Sequence, residues 1–183
     1  SKKTDIVMSS SLAMQDRYLG NKPFRKPYEI RLVAQGQPNF RVILVRKRAN
    51  VKGVKDIAGR TMIGKRRAIP DMAMITSALM KVHNIDPSKV QVVDTVNTGQ
   101  VVKALRAGTV DLAVYPAALK QPALTAMFQD GIVDFLYLSK QSRDSMLKLL
   151  PKAFYQGGFK AGSFPGQKEE LNNFGLYTGL VVR

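Results

Sequence analysis

The stretch Val102-Lys103-Ala104-Leu105-Arg106-Ala107-Gly108-Thr109-Val110-Asp111-Leu112-Ala113-Val114-Tyr115 changes period half-way. Up to Ala107 its apolar residues return at helical spacing, continuing a helix whose predicted N-cap is Thr98 and whose first inward residue is Val101. Gly108 sits where a helix ends in a left-handed residue, and Val110–Tyr115 is a short buried-strand run. A helix that turns on a glycine into an apolar strand is half of a βαβ unit, so the stretch argues for an α/β sheet.

The same alternation extends in both directions. Predicted strands are Asp5–Ser9, Glu29–Ala34, Phe40–Lys47, Arg60–Gly64, Val90–Asp94, Val133–Leu138 and Gly175–Val182. Met72, Ile75, Leu79 and Val82 predict a helix over Asp71–Val82, with Pro70 as its first helical residue. Further helices are expected over Ala117–Gln129, bent or started at Pro122, and over Arg143–Leu150, stopped by Pro151, and Gly157–Pro165 reads as an irregular loop. Thr4–Ser9 repeats the pattern of Val110–Tyr115, either by chance or as the start of a second, like-built lobe. The extended runs Phe40–Arg46 and Phe174–Val182 flank residues 47–172; if they pair, they bracket a middle lobe and form its hinge.

The chain has 183 residues and a net charge of +16, enough length for one domain or slightly more. Residues 1–60 carry 14 Lys and Arg against four carboxylates. Such a field draws in anions of any size and does not choose among small ligands, nucleic acid and acidic membranes. There are no cysteines and one histidine, His83, which excludes thiol catalysis and the usual structural zinc sites. No nucleophile–base pair, paired-carboxylate motif or phosphate loop stands out, so an enzyme is the least supported class and no cofactor or metal is expected. No run of about 18 apolar residues is present, and no signal peptide is visible. A start at Ser1 reads as a processed or trimmed product.

Three groups of residues can face a ligand. Lys65, Arg66 and Arg67 fall between a strand end and the first turn of a helix. There, free backbone N–H groups and a guanidinium fork suit a carboxylate or phosphate, unless the side chains simply swing into water. Asn97 and Thr98 open the next helix, Thr98 as a cap in one reading and either residue as a ligand contact in the other. Ser9 and Ser10 end the first strand and Tyr115 ends its counterpart, where ligands of open α/β sheets sit.

The segments Val54–Gly64 (VKDIAGRTMIG), Val90–Val93 and Val102–Tyr115 resemble extracytoplasmic solute-binding proteins. Tyr155 followed by Ala161-Gly162-Ser163-Phe164-Pro165-Gly166-Gln167 resembles the Tyr…Ala-Gly-Thr-Tyr-Pro-Gly-Gln segment of the TAXI family, the binding subunits of TRAP-type transporters. The resemblance implies a type II periplasmic-binding-protein-like α/β fold with an incomplete first lobe: residues 1–46 as part of lobe I with a hinge strand, 47–172 as lobe II, and 173–183 as the returning hinge strand. It also implies a periplasmic, non-enzymatic monomer that takes a glutamate-like or dicarboxylate anion and hands it to membrane transporter subunits, with no nucleic-acid partner. It places Gln37 at the crevice, and Tyr155 either against the ligand or pinning the Gly-rich loop. The chain departs from the family in lacking a Gly-rich strand-turn-helix before Ser1, in stopping at Arg183, and in carrying Lys65-Arg66-Arg67-Ala68-Ile69-Pro70 where members have small residues. The effector domain of a LysR-type regulator shares part of this cadence and is the rival reading; it calls for a dimer and an upstream helix-turn-helix.

Overall fold

The computed structural model describes residues 5–182. The strands are β1 (Ile6–Ser10), β2 (Arg31–Arg46), β3 (Thr61–Lys65), β4 (Gln91–Asp94), β5 (Leu112–Ala117), β6 (Val133–Phe135), β7 (Tyr155–Phe159) and β8 (Leu171–Val182). The helices are α1 (Ser11–Leu19), α2 (Asp71–Val82), α3 (Thr98–Ala107), α4 (Pro122–Gln129) and α5 (Lys140–Leu149). All eight strands join one mixed sheet of order β1-β8-β2-β5-β3-β4, with β6 on β2 and β7 on β8. The fold is α/β, as the alternation predicts. Thr4, in the first copy of the repeated pattern, lies outside the described residues.

The parallel part is β4-β3-β5. Its two crossovers run in opposite directions along the sheet, and right-handed connections then put α2 and α3 on opposite faces. Both faces being covered, β5 is a continuous apolar run with Leu112, Ala113, Val114 and Tyr115 fully buried. Helix α2 ends where its periodicity predicts. Pro70 is its cap in αR geometry rather than its first residue, and Asp71 opens the helix.

Strand β2 is the main departure. The two runs expected as separate strands are one, passing through Gln37 and Pro38. Pro38 is tolerated because the β2–β8 ladder already shifts register between Gln35 and Pro38, so a missing donor disrupts little. The first part of β2 pairs with β8, from Arg31 opposite Val182 to Arg41 opposite Phe174. Its last part pairs with β5 on one side, Phe40 opposite Ala117 to Val45 opposite Leu112, and with β6 on the other. Of the two runs flanking residues 47–172, Phe40–Arg46 and Phe174–Val182, only Phe40 and Arg41 meet the second, opposite Gly175 and Phe174; the rest of Phe174–Val182 pairs with residues 31–39.

Strand β7 begins before the expected loop and includes Gly157 and Gly158. A Cβ on Gly158 would lie 1.9 Å from the Leu171 carbonyl oxygen, so these glycines permit the close approach that lets β7 add to β8. Beyond it, Ala161–Gln167 is a knitted turn. Phe164 is buried against Phe128, Phe135 and Phe159, with ring centroids 5.0–5.6 Å apart. The buried Gln167 side chain accepts from the Phe164 N–H and donates to the carbonyls of Phe159 and Glu169. Ala161–Gln167 is thus held by packing and by one amide that satisfies the loop backbone.

Candidate functional site at the strand tips

The register of the sheet gathers the carboxyl ends of β3, β4 and β5 beside the crossing point on β2. Lys65 ends β3 opposite Asp94 of β4, and Ala117 ends β5 opposite Phe40. Going back along β2, Pro38 lies opposite Tyr177, whose neighbour Thr178 is opposite Ser10 at the end of β1. Residues 37–40 therefore form a strip with Ser9 and Ser10 towards one side and the tips of β3, β4 and β5 towards the other.

Two of the predicted groups meet. Arg66 Nη1 donates to the Thr98 hydroxyl at 3.2 Å, joining the β3–α2 loop to the start of α3. The loop itself is a tight turn closed by Ile69 N–H on the Arg66 carbonyl. Arg66 is half-buried, and its Nε is buried with no acceptor. Lys65 and Arg67 are exposed. None of the three makes an ion pair among the described residues. The nearest candidate in the chain, Asp71 at the head of α2, is taken: Arg41 Nε and Nη2 hold its two carboxylate oxygens at 2.7 and 2.9 Å. The Arg41–Asp71 pair is buried, and Arg41 also donates to Asn39 Oδ1 and to the Phe40 carbonyl. It was not foreseen from the sequence, where Arg41 reads as one residue of an apolar strand.

Several expectations change. The first-turn donors of α2 are not free: Met72 and Ala73 N–H donate to the carbonyls of Ile69 and Pro70. The anion-binding capacity of this loop therefore lies in its side chains, Arg66 above all. The cap of α3 is Asn97, whose Oδ1 accepts from Gln100 N–H at 3.0 Å, and Thr98 is the first helical residue, leaving its hydroxyl for Arg66. Tyr115 does not open onto the crevice. It is fully buried, its hydroxyl accepts from Gln121 Nε2 at 3.3 Å, and burial pushes it up to about 12.

On the other side Ser9 is half-buried on β1, and Ser10 caps α1 by accepting from Ala13 N–H. The neighbouring Ser11 donates to the Ala153 carbonyl and accepts from Tyr177 N–H, tying α1 to β8. Gln37 is exposed, and its carbonyl accepts from the Thr178 hydroxyl at 3.0 Å. Tyr155 stacks on Tyr177 with centroids 4.4 Å apart and leans over Gly175, where a Cβ would lie 2.6 Å from the ring. Burial first, and the neighbouring Tyr177 phenol second, raise the Tyr155 hydroxyl, which is buried without a partner. His83 caps the end of α2, and burial lowers its pKa.

A groove of about 1260 Å³ flanks α2, lined mainly by apolar residues including Met74, Ile85, Val92 and Leu149, with Lys65 and Lys81 among its walls. It shares Lys65 with the strand-tip site.

A family model matches residues 1–183. The chain belongs to the NMT1-like family. No curated protein sequence matches this NMT1-like chain. Among solved structures it is similar to the putative periplasmic sulfonate-binding protein SsuA of a sulfonate ABC transporter from Methylobacillus flagellatus KT, with a TM-score of 0.57 at 18% identity over 99% of this chain and 42% of that one. It is also similar to a protein from Bordetella bronchiseptica RB50, with a TM-score of 0.54 at 16% identity over 98% and 47% of the two chains. A third, described as a periplasmic transporter, has a TM-score of 0.57 at 11% identity over 97% and 56%. The chain spans about half the length of these structures. At such identities the likeness establishes the fold, which is that of periplasmic binding proteins.

Proposed function

We infer that this chain is the ligand-binding part of an extracytoplasmic solute-binding protein that captures a small organic anion, an amino acid or carboxylate, and delivers it to a TRAP-type membrane transporter as TAXI-family subunits do. The observation that carries the anion assignment is Arg66: a half-buried guanidinium, fixed by Thr98, with a buried Nε lacking an acceptor and, among the described residues, no carboxylate partner. Leaving a charged donor unpaired is costly, and an incoming oxyanion removes that cost. Membership of the NMT1-like family and the periplasmic-binding-protein fold support the transport role. The ligand lies against Arg66, Lys65, Arg67, Asn97 and Thr98, with Ser9, Ser10, Gln37 and Tyr155 on the facing side.

In this reading residues 47–172 are one lobe, residues 1–46 and 173–183 belong to the other, and the paired β2 and β8 are the hinge. A ligand that touches both sides favours the closed arrangement by its extra affinity for it. Titration calorimetry with L-glutamate, succinate and an alkanesulfonate tests the assignment. Replacing Arg66 and Arg67 by Ser weakens binding of the preferred anion at least about tenfold, about 1.4 kcal/mol. Unchanged affinity in that variant, or silence across the anion panel, overturns the reading.

A further inference from the structure

We propose that the end of the sheet opposite the strand-tip site, carrying Lys47, Arg48, Lys52, Lys55, Arg60 and Lys89, is a docking surface for an anionic phospholipid bilayer. The register places these residues together. Strand β2 ends at Arg46 beside the start of β5, with Arg46 N–H on the Asp111 carbonyl. It runs at once into a 3-10 turn at Lys47–Ala49, anchored by Lys47 N–H on the Ile132 carbonyl, and then into a second at Val54–Ile57. Arg60 precedes β3, and its carbonyl accepts from Gln91 N–H at the start of β4, while Gly59 N–H donates to the Lys89 carbonyl at 2.6 Å. The starts of β3, β4 and β5 and the end of β2 thus share one pole, and the six cations ring it.

The carboxylates near that pole are already engaged. Asp111 pairs with Arg46 and Asp130 with Arg106. Asp56 accepts from the Lys52 and Gly53 N–H groups, and Asp86 from the backbone and hydroxyl of Ser88, which lowers both carboxyls. None of the six cations is in an ion pair among the described residues, and all but the half-buried Arg60 are exposed. Asp134, opposite Val45 on β6, accepts from the Phe135 N–H. Counting Asp56, Asp86 and Asp134, which are hydrogen-bonded but not ion-paired among the described residues, against the six cations, the pole keeps a net positive charge.

The chemistry favours a lipid surface over nucleic acid. Residues 47–60 contain no aromatic side chain on which a base could stack, and they form short 3-10 turns rather than a helix that enters a groove. A bilayer asks for neither; it presents a dense plane of phosphates to which each facing Lys or Arg adds about fivefold in affinity. Among the described residues no helix is long and apolar enough to cross a membrane. Docking by this pole leaves the strand-tip site, at the other end of the same strands, open to solution.

The test is co-sedimentation of the full chain with vesicles of phosphatidylglycerol and phosphatidylethanolamine, against vesicles of phosphatidylcholine. The expected result is binding to the anionic vesicles alone, lost at about 0.5 M salt, where the Debye length shrinks to a few ångströms. The variant Lys47→Glu/Arg48→Glu/Lys52→Glu/Lys55→Glu binds at least about a hundredfold more weakly. The matched variant Lys148→Glu/Lys152→Glu/Lys160→Glu/Lys168→Glu, four exposed positions elsewhere, retains most of the binding. Circular dichroism checks that both variants are folded. No binding, equal binding to neutral vesicles, equal loss in the two variants, or displacement from vesicles by duplex DNA each overturns the proposal. None of these outcomes depends on a solute, so the solute-binding reading is tested separately.

Discussion

Removing the carboxylate of Asp71 is the sharpest test of how the fold holds the strand-tip loop. Asp71 and Arg41 are 4% and 6% exposed, and the guanidinium grips both carboxylate oxygens, at 2.7 and 2.9 Å. In Asp71→Ala the guanidinium stays buried without its counter-charge, a change that typically costs about 3–5 kcal/mol. Asn39 Oδ1 and the Phe40 carbonyl still accept from Arg41, which places the expected loss near the lower end, about 3 kcal/mol. For a chain of 183 residues each kcal/mol moves the midpoint by roughly 2–4 °C, so the melting temperature falls by about 6–12 °C. Urea unfolding followed by circular dichroism reads the same loss as a lowered midpoint with an unchanged slope. The double variant Arg41→Met/Asp71→Leu removes both charges and recovers most of the stability, because the penalty comes from an unpaired charge rather than from a missing bond. A loss below about 1 kcal/mol in Asp71→Ala, or a double variant as unstable as the sum of its singles, refutes this account.

Two further outcomes follow from buried polar groups. Burial raises the Tyr115 phenol to about 12 in the fold, so the stability it contributes is complete below its unfolded value of about 10 and drains away as pH climbs from there to about 12. Urea midpoints on either side of about pH 10 fall less steeply in Tyr115→Phe, though not to zero slope, because the Tyr155 hydroxyl is raised in the same direction; identical slopes in the two proteins contradict it. The fully buried Asn173 has neither amide atom partnered, so Asn173→Leu, close to it in shape, is stabilising by about 1–3 kcal/mol in the same assay, and a net loss sinks that expectation.

The departures between sequence and structure have one character. Where a segment needs only its own neighbours, its limits are legible: the Met72, Ile75, Leu79 periodicity marks α2, and Gly108 at φ 74° closes α3 as its position implies. Where a segment is completed by something distant, they are not. Gln37-Pro38 looks like a break until β8 is laid alongside, and Gly157-Gly158 looks like a loop until Leu171 approaches. The candidate site divides in the same way. Lys65, Arg66 and Arg67 stand out by charge and by their place after a strand, but the link from Arg66 to Thr98 spans 32 residues and no local pattern encodes it. The sequence ends the strand at Tyr115, whereas β5 runs two residues further and Tyr115 is buried within it.

Alternating apolar strands and helical periods, read alone, determined the α/β class, the principal helices and a basic loop at a strand end, because these follow from interactions within a few residues. Tertiary structure decided that one β2 strand serves both parts of the sheet, that Asp71 belongs to Arg41 and so leaves Arg66 without a carboxylate, and that six scattered cations share one pole. Pairing partners lie tens of residues apart, and which groups end up buried together is set by where the strands cross rather than by their order in the chain.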